Sequence, residues 1–198
     1  MEPASDRTPD RILKKALELF STRGYEAASV REICEAAGIT KPTLYHFFGS
    51  KEGVYRALVD GTLERFNADL DLILAEPGAT RDQLKRVARH FFGEVRSDPD
   101  VIRFIMSLLY NTSSTAPTTQ FARYYEAQQQ RIQVCLEAGV ARGELRPGPT
   151  PTRLLLFMGG IGEAVCGYLI SGRPELTPEL ADNLVDTLLD GWSAPTLS

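Results

Sequence analysis

A chain of 198 residues with 43% hydrophobic and 24% charged content can bury a core of its own, which excludes wholesale disorder and fibrous repeats. The net charge of −4 excludes a broadly basic surface: residues 1–60 hold nine Lys/Arg and nine Asp/Glu, so the acidic excess belongs to the rest of the chain. Cys34, Cys135 and Cys166 are odd in number, far apart and set among apolar neighbours, which excludes a disulfide framework and fits reduced, buried thiols in a cytoplasmic protein.

Residues 1–10 are polar and contain proline, with no apolar core of a signal peptide. No apolar run is read as approaching the roughly 20 residues of a spanning helix, so no membrane attachment is expected. Thr8-Pro9 reads as a cap and first-turn proline, after which Ile12, Leu13, Ala16, Leu17, Leu19 and Phe20 recur at helical spacing until Gly24. Ser29 and Glu32 have the spacing of a capping box and open a short second helix with Ile33, Ala36 and Ala37 on its apolar face. Gly38 permits a left-handed turn, Ile39 plugs it, and Thr40 is placed to cap a third helix over Lys41–Phe48, stopped by Gly49.

From Ser50 a longer fourth helix runs to about Glu76, ahead of Pro77-Gly78. Further helices are predicted over 81–97, 100–110, 118–141, 152–171 and 178–191, with the Thr/Ser-rich stretch NTSSTAPTT read as a loop. No segment alternates with a two-residue period, so the expected class is all-α with about nine helices.

A short capped helix, a glycine turn and a second short helix with polar residues at its start have the form of a helix-turn-helix, whose second helix enters the DNA major groove. On that helix Leu44 and Phe48 fall four apart on the inner stripe, whereas Lys41, Thr43, Tyr45 and His46 lie off it. The segment Gly38–Lys51 carries Lys41, His46 and Lys51 without one carboxylate. Taken singly, Lys41 reads as a solvated charge and His46 as a surface histidine; their joint placement gives the nucleic-acid reading. No catalytic residue is expected: there are two histidines, no nucleophile elbow, no phosphate-binding loop and no clustered Cys/His spacing, and accordingly no metal and no cofactor.

The run ILKKALELFSTRGYEAASVREICEAAGITKPTLYHFFGSKEGVY, roughly residues 11–55, resembles the N-terminal signature of the tetracycline-repressor (TetR) family. The resemblance implies a helix-turn-helix domain over 1–50 joined by a long helix to an effector-binding and dimerisation domain over 51–198. It further implies a homodimer on double-stranded DNA, usually a repressor released by a small molecule. The positions matching the family's DNA-contacting pattern are Thr40, Lys41, Thr43, Tyr45, His46 and Lys51, and Ser29 at the second helix's N-terminus adds an amide contact to phosphate. Tyr45 and Thr43 hydroxyls and the Lys51 ammonium suit phosphate oxygens, while Lys41 and His46 can reach base edges.

Beyond residue 60 the likeness is one of length and helical layout. Aromatic residues between 84 and 125 are mostly core material, but an apolar or aromatic effector is expected among His90, Phe91, Phe104, Tyr110, Phe121, Tyr124 and Glu163. The glycines of LLLFMGGIGEAVCGYLI lack the spacing and the preceding strand of a nucleotide loop, and instead imply close helix packing. Because the family pairs its last two long helices across a two-fold axis, Gly159, Gly160, Gly162, Tyr168, Leu184 and Leu188 are the expected dimer contacts. The alternative function is a helical ligand-binding protein whose DNA motif is vestigial.

Overall fold

The computed structural model describes residues 7–110 and 121–191, with the side chains of 108–110 excepted. Nine helices and no strand occur among the described residues: α1 (Thr8–Ala27), α2 (Val30–Ala37), α3 (Lys41–Phe48), α4 (Lys51–Ala75), α5 (Thr80–Ser97), α6 (Pro99–Tyr110), α7 (Phe121–Ala141), α8 (Thr150–Ser171) and α9 (Pro178–Asp190). The expected loop NTSSTAPTT and the expected start of the seventh helix at 118 lie outside the described residues.

At the N-terminus Arg7 takes the capping position, so Thr8 lies one residue inside α1 instead of capping it. Gly24, at φ 79° and ψ 166°, interrupts the helix where the sequence placed its end, and a last short turn reaches Ala27. Only a residue without Cβ takes that backbone conformation cheaply.

The chain forms two compact units. The first takes in α1–α3, α4 as far as Phe66, and α6 from Asp100. Its core joins Ile12, Ala16, Phe20, Ile33, Leu44, Val54, Tyr55, Val59 and Phe104, all nearly or fully buried. The division therefore falls within α4 and not at the boundary expected after residue 50, because Val54, Tyr55, Leu58 and Val59 complete the helix-turn-helix core. Phe20 meets Tyr25, Tyr55 and Phe104 at centroid distances of 5.6, 5.6 and 6.4 Å, offset or tilted as aromatic quadrupoles prefer.

The second unit holds α4 from Asn67, α5, nearly all of α7, α8 and α9. α5, α8 and α9 pack against one another, burying Leu84, Val87, Ala88 and Phe92 with Phe157, Ile161, Ala181 and Val185 of the same unit. Each large apolar side chain among them contributes about 1.5–3 kcal/mol by leaving water. A ladder of ion pairs runs beside this core. Arg81 reaches Asp186 (2.6 Å) and Asp190 (2.5 Å), Lys85 reaches Asp186 (2.7 Å), and Arg89 grips Asp182. Pair numbers rise on α5 as they fall on α9, so the helices are antiparallel; exposed pairs of this kind give about 0–1 kcal/mol each and chiefly fix register.

α8 corrects one expectation, since by length and composition it is apolar enough to cross a membrane. Its apolar residues occupy more than one face: Leu154, Phe157, Ile161 and Val165 are buried, while Leu155, Leu156 and Ile170 stand 71%, 55% and 85% exposed. Of the four glycines expected to serve helix packing, one does so within the chain and a second admits the segment that follows α8. A Cβ on Gly160 would meet Leu184 of α9 at 3.2 Å, and one on Gly167 would meet the Arg173 carbonyl oxygen at 2.7 Å, whereas Gly159 and Gly162 face open space. Cys34 and Cys135 are buried as expected, and burial pushes the Cys135 thiol up to about 11, but Cys166 is only half-buried.

Candidate nucleic-acid interface

The interface is built on local capping. Ser29 Oγ accepts from the Glu32 amide (3.2 Å) while Glu32 Oε2 accepts from the Ser29 amide (2.8 Å), so the box predicted from spacing is closed in both directions. Hydrogen bonds from Ser29, first its hydroxyl, hold the Glu32 carboxyl below the usual range, and Arg23 adds an ion pair at 3.1 Å. At the other end of α2, Gly38 is left-handed (φ 62°), its N–H donates to Glu35 O and that of Ile39 to Cys34 O. This pair of bonds satisfies carbonyls the helix leaves open and sets the direction of α3.

Thr40 occupies the N-cap of α3 with extended backbone, but its side chain makes no capping bond; its hydroxyl instead lies 2.9 Å from that of Thr43. Two neighbouring hydroxyls at the start of α3 are thereby held together on its surface. Leu44 is fully buried and Phe48 packs against the same core, which orients the helix about its axis. Lys41, Tyr45 and His46 are consequently exposed, Tyr45 by 47%, and Thr43 is half-buried. Phe47 is also exposed, by 44%, and its ring lies against His46 at 5.1 Å. Spacing alone did not single out Phe47, although an aromatic beside the polar face was visible in the sequence.

The join between α3 and α4 is the tightest point. Gly49 turns at φ 72° with its N–H on Tyr45 O, and Ser50 Oγ accepts from the Gly53 amide at 3.0 Å. A Cβ on Gly53 would stand 1.8 Å from the Phe48 carbonyl oxygen, so only glycine lets α4 start this close to the end of α3.

Lys51, expected at a phosphate, has an additional employment. Its Nζ donates to Tyr25 O and Ala28 O, both at 2.9 Å, and sits 4.1 Å from the centre of the Tyr25 ring. It thus satisfies carbonyls at the end of α1 and ties that corner to α4, with one of its three donors remaining. Ser29, exposed at the N-terminus of α2, is likewise committed to Glu32 through both its amide and its hydroxyl.

The residues expected around an effector are distributed over both units. Phe104 belongs to the first unit's core, Phe121 packs on that core, and Tyr124 donates to Glu64 at 2.7 Å, which raises its hydroxyl to about 12. His90 and Phe91 are half-buried on α5, Glu163 is exposed on α8, and the Tyr110 side chain lies outside the described residues. None of the six whose side chains are described lines the cavity of about 600 Å³ within the second unit, which is walled by Leu84, Leu136, Phe157, Val185 and Leu188 with Arg81, Glu144 and Arg153. Of the expected dimer contacts, Leu184 covers Gly160 within the chain, Leu188 is 37% exposed, Tyr168 is half-buried, and Gly159 and Gly162 have nothing against their α-carbons. One grouping had no counterpart in the sequence reading: Asp69 of α4 and His90 and Glu94 of α5 bring one donor atom each to within 4.8 Å of one another. The four-residue step from His90 to Glu94 was visible, but nothing in the sequence joined Asp69 to them.

Residues 12–58 match the family model described as bacterial regulatory proteins of the tetR family, and residues 74–188 match a tetracyclin repressor-like C-terminal domain. The chain is 31% identical over 189 residues to the HTH-type transcriptional repressor ComR of Escherichia coli (strain K12), covering 92% of this chain and 88% of that protein. Among solved structures, the TetR family transcriptional regulator PfmR of Thermus thermophilus superposes with a TM-score of 0.74 at 25% identity, over 95% of this chain and 98% of that one. The fatty acid degradation regulator FadR of Bacillus halodurans gives 0.79 at 20% identity, over 96% and 97%.

Proposed function

The chain belongs to the tetR family of bacterial regulatory proteins and is a DNA-binding transcriptional regulator, and on that premise we propose that it works as a homodimeric repressor released from its operator by a small molecule. The observation that carries the DNA contact is the α3 face: Leu44 is fully buried, which turns Lys41, Tyr45 and His46 outward at the end of a rigidly capped turn. Lys41 and His46 are assigned to base edges, and Thr40, Thr43 and Tyr45 to phosphates. Lys51 keeps a phosphate role only through its third N–H, and Ser29 through the positive end of α2.

The dimer reading rests on α8. Leu155, Gly159, Gly162, Cys166 and Ile170 recur at steps of four, three, four and four, a single stripe of small and apolar residues, with Leu155 and Ile170 largely exposed. Covering such a stripe with a second copy removes apolar surface from water and permits backbones to approach over the two glycines. Charging it with Leu155→Glu and Ile170→Glu together is expected to convert the dimer to monomer in light scattering; unchanged mass would remove α8 from the interface.

A small-molecule effector is supported by the second unit's cavity, whose size falls in the range of about 300–1,000 Å³ usual for such sites and whose apolar wall is joined by the charged Arg81, Asp82, Glu144 and Arg153. An effector that favours the DNA-released form must bind more weakly to the DNA-bound form. Equal effector affinity with and without operator would end that account. The DNA reading itself is tested by selecting bound duplexes from a randomised pool. Enrichment of a near-palindrome with half-sites about one helical turn (~34–36 Å) apart or somewhat further is expected, and no enrichment at low salt would contradict it.

A further inference from the structure

We infer that Asp69, His90 and Glu94 form a binding site for one divalent transition-metal ion of the zinc class. The three come from two helices of one unit, α4 and α5, and each offers a single ligand atom: a carboxylate oxygen, an imidazole nitrogen and a second carboxylate oxygen. All three side chains are half-buried, so the donors are partly withdrawn from water. His90 and Glu94 stand four apart on α5 and therefore share one helix face.

Geometry and charge both fit a dication. Donors bound at about 2.0–2.2 Å around one tetrahedral zinc-class ion stand about 3.3–3.6 Å apart. The observed spread, within 4.8 Å, is about an ångström wider, so binding requires the Asp69 and Glu94 side chains to turn inward. Two carboxylates bring two negative charges to one point, which a divalent cation balances with the imidazole neutral.

The donor set also selects the ion. An imidazole with two carboxylates suits zinc, nickel, cobalt, manganese or ferrous iron; the imidazole weighs against calcium and magnesium, and the lack of thiolate weighs against cuprous copper. Three protein donors leave coordination positions for water or for an anionic group of a small molecule. The site is tested without DNA, so its failure and that of the DNA reading are distinguishable.

The test is calorimetric titration of zinc chloride into the full-length, chelator-stripped protein, with magnesium chloride as the control, for wild type and for His90→Ala, Glu94→Gln and Asp69→Asn. One zinc per chain and at least tenfold weaker binding in each variant are expected, with a rise in thermal midpoint on zinc addition that the variants lose. Equal helix content and equal midpoints of all four proteins in chelator show that the variants fold, and the near-isosteric Glu94→Gln keeps the test valid should His90→Ala unfold. Zinc binding that survives in all three variants, no binding by wild type, or equal affinity for magnesium would overturn the assignment.

Discussion

The two compact units satisfy their polar groups over different distances along the chain. In α1–α3 the decisive bonds are local: Ser29 and Glu32 are three residues apart, and Gly38 and Ile39 close α2 over its own last turn. In the second unit they are remote. Arg81 finds Asp186 and Asp190 more than 100 residues away, and Thr80, fully buried, gives its N–H and hydroxyl to Glu144 at 2.6 and 2.7 Å across 64 residues. The first arrangement specifies a recognition surface from sequence nearby; the second leaves the sequence between the contacts open to variation and holds the bundle by packing.

The tightest of the local contacts in the first unit is the α3–α4 join, and it predicts the largest effect. Gly53→Ala drives a Cβ into the Phe48 carbonyl, so a loss of about 1–3 kcal/mol or more is expected in urea unfolding, together with weaker operator binding as α3 is displaced. Gly61→Ala on the same helix meets nothing within 4 Å and should stabilise by about 0.4–1 kcal/mol. Equal effects at the two positions would show that the join is more yielding than its geometry implies.

Lys51 comes next. Lys51→Ala leaves Tyr25 O and Ala28 O without their charged donor and removes the cation from the Tyr25 ring; a cost of about 1–3 kcal/mol is expected in chemical denaturation. If its remaining donor meets a phosphate, operator binding also weakens alike on all sequences and the salt slope falls by about one. Unchanged folding stability with only the slope reduced would make Lys51 a DNA contact and not a brace.

Ser29→Ala opens the capping box and should cost about 0.5–2 kcal/mol. A remote counterpart is Glu144, whose carboxyl is held down to about 2 by hydrogen bonds from Arg142 and then Thr80. Its folded value lies below the ordinary value of 4.5, so the stability it contributes is present above about pH 4.5 and is lost as pH falls toward 2. Glu144→Gln should flatten the fall of thermal midpoint across that window, the smallest of these effects; an unchanged acid profile would count against the Thr80–Glu144 link.

This contrast also explains what was legible beforehand. Caps, glycine turns and the Leu44 stripe are encoded within a few residues, so the helix order and the exposed face of α3 could be read directly. Lys51 contacts carbonyls 26 and 23 positions earlier, and no spacing rule announces that. Phe104 is recognisable as apolar, but hydrophobicity does not say which core a residue joins, and it joined the helix-turn-helix core. Asp69 reads as a solvated helix charge until folding sets it beside His90 and Glu94.

The most direct test of the central claim, that the outward face of α3 reads DNA sequence, is a base-by-base substitution scan of the selected operator with wild type and Lys41→Ala. The account predicts that the variant loses about 1–3 kcal/mol and becomes indifferent to the base at one position in each half-site, with preferences elsewhere intact. A uniform loss across all positions, or none, would contradict it.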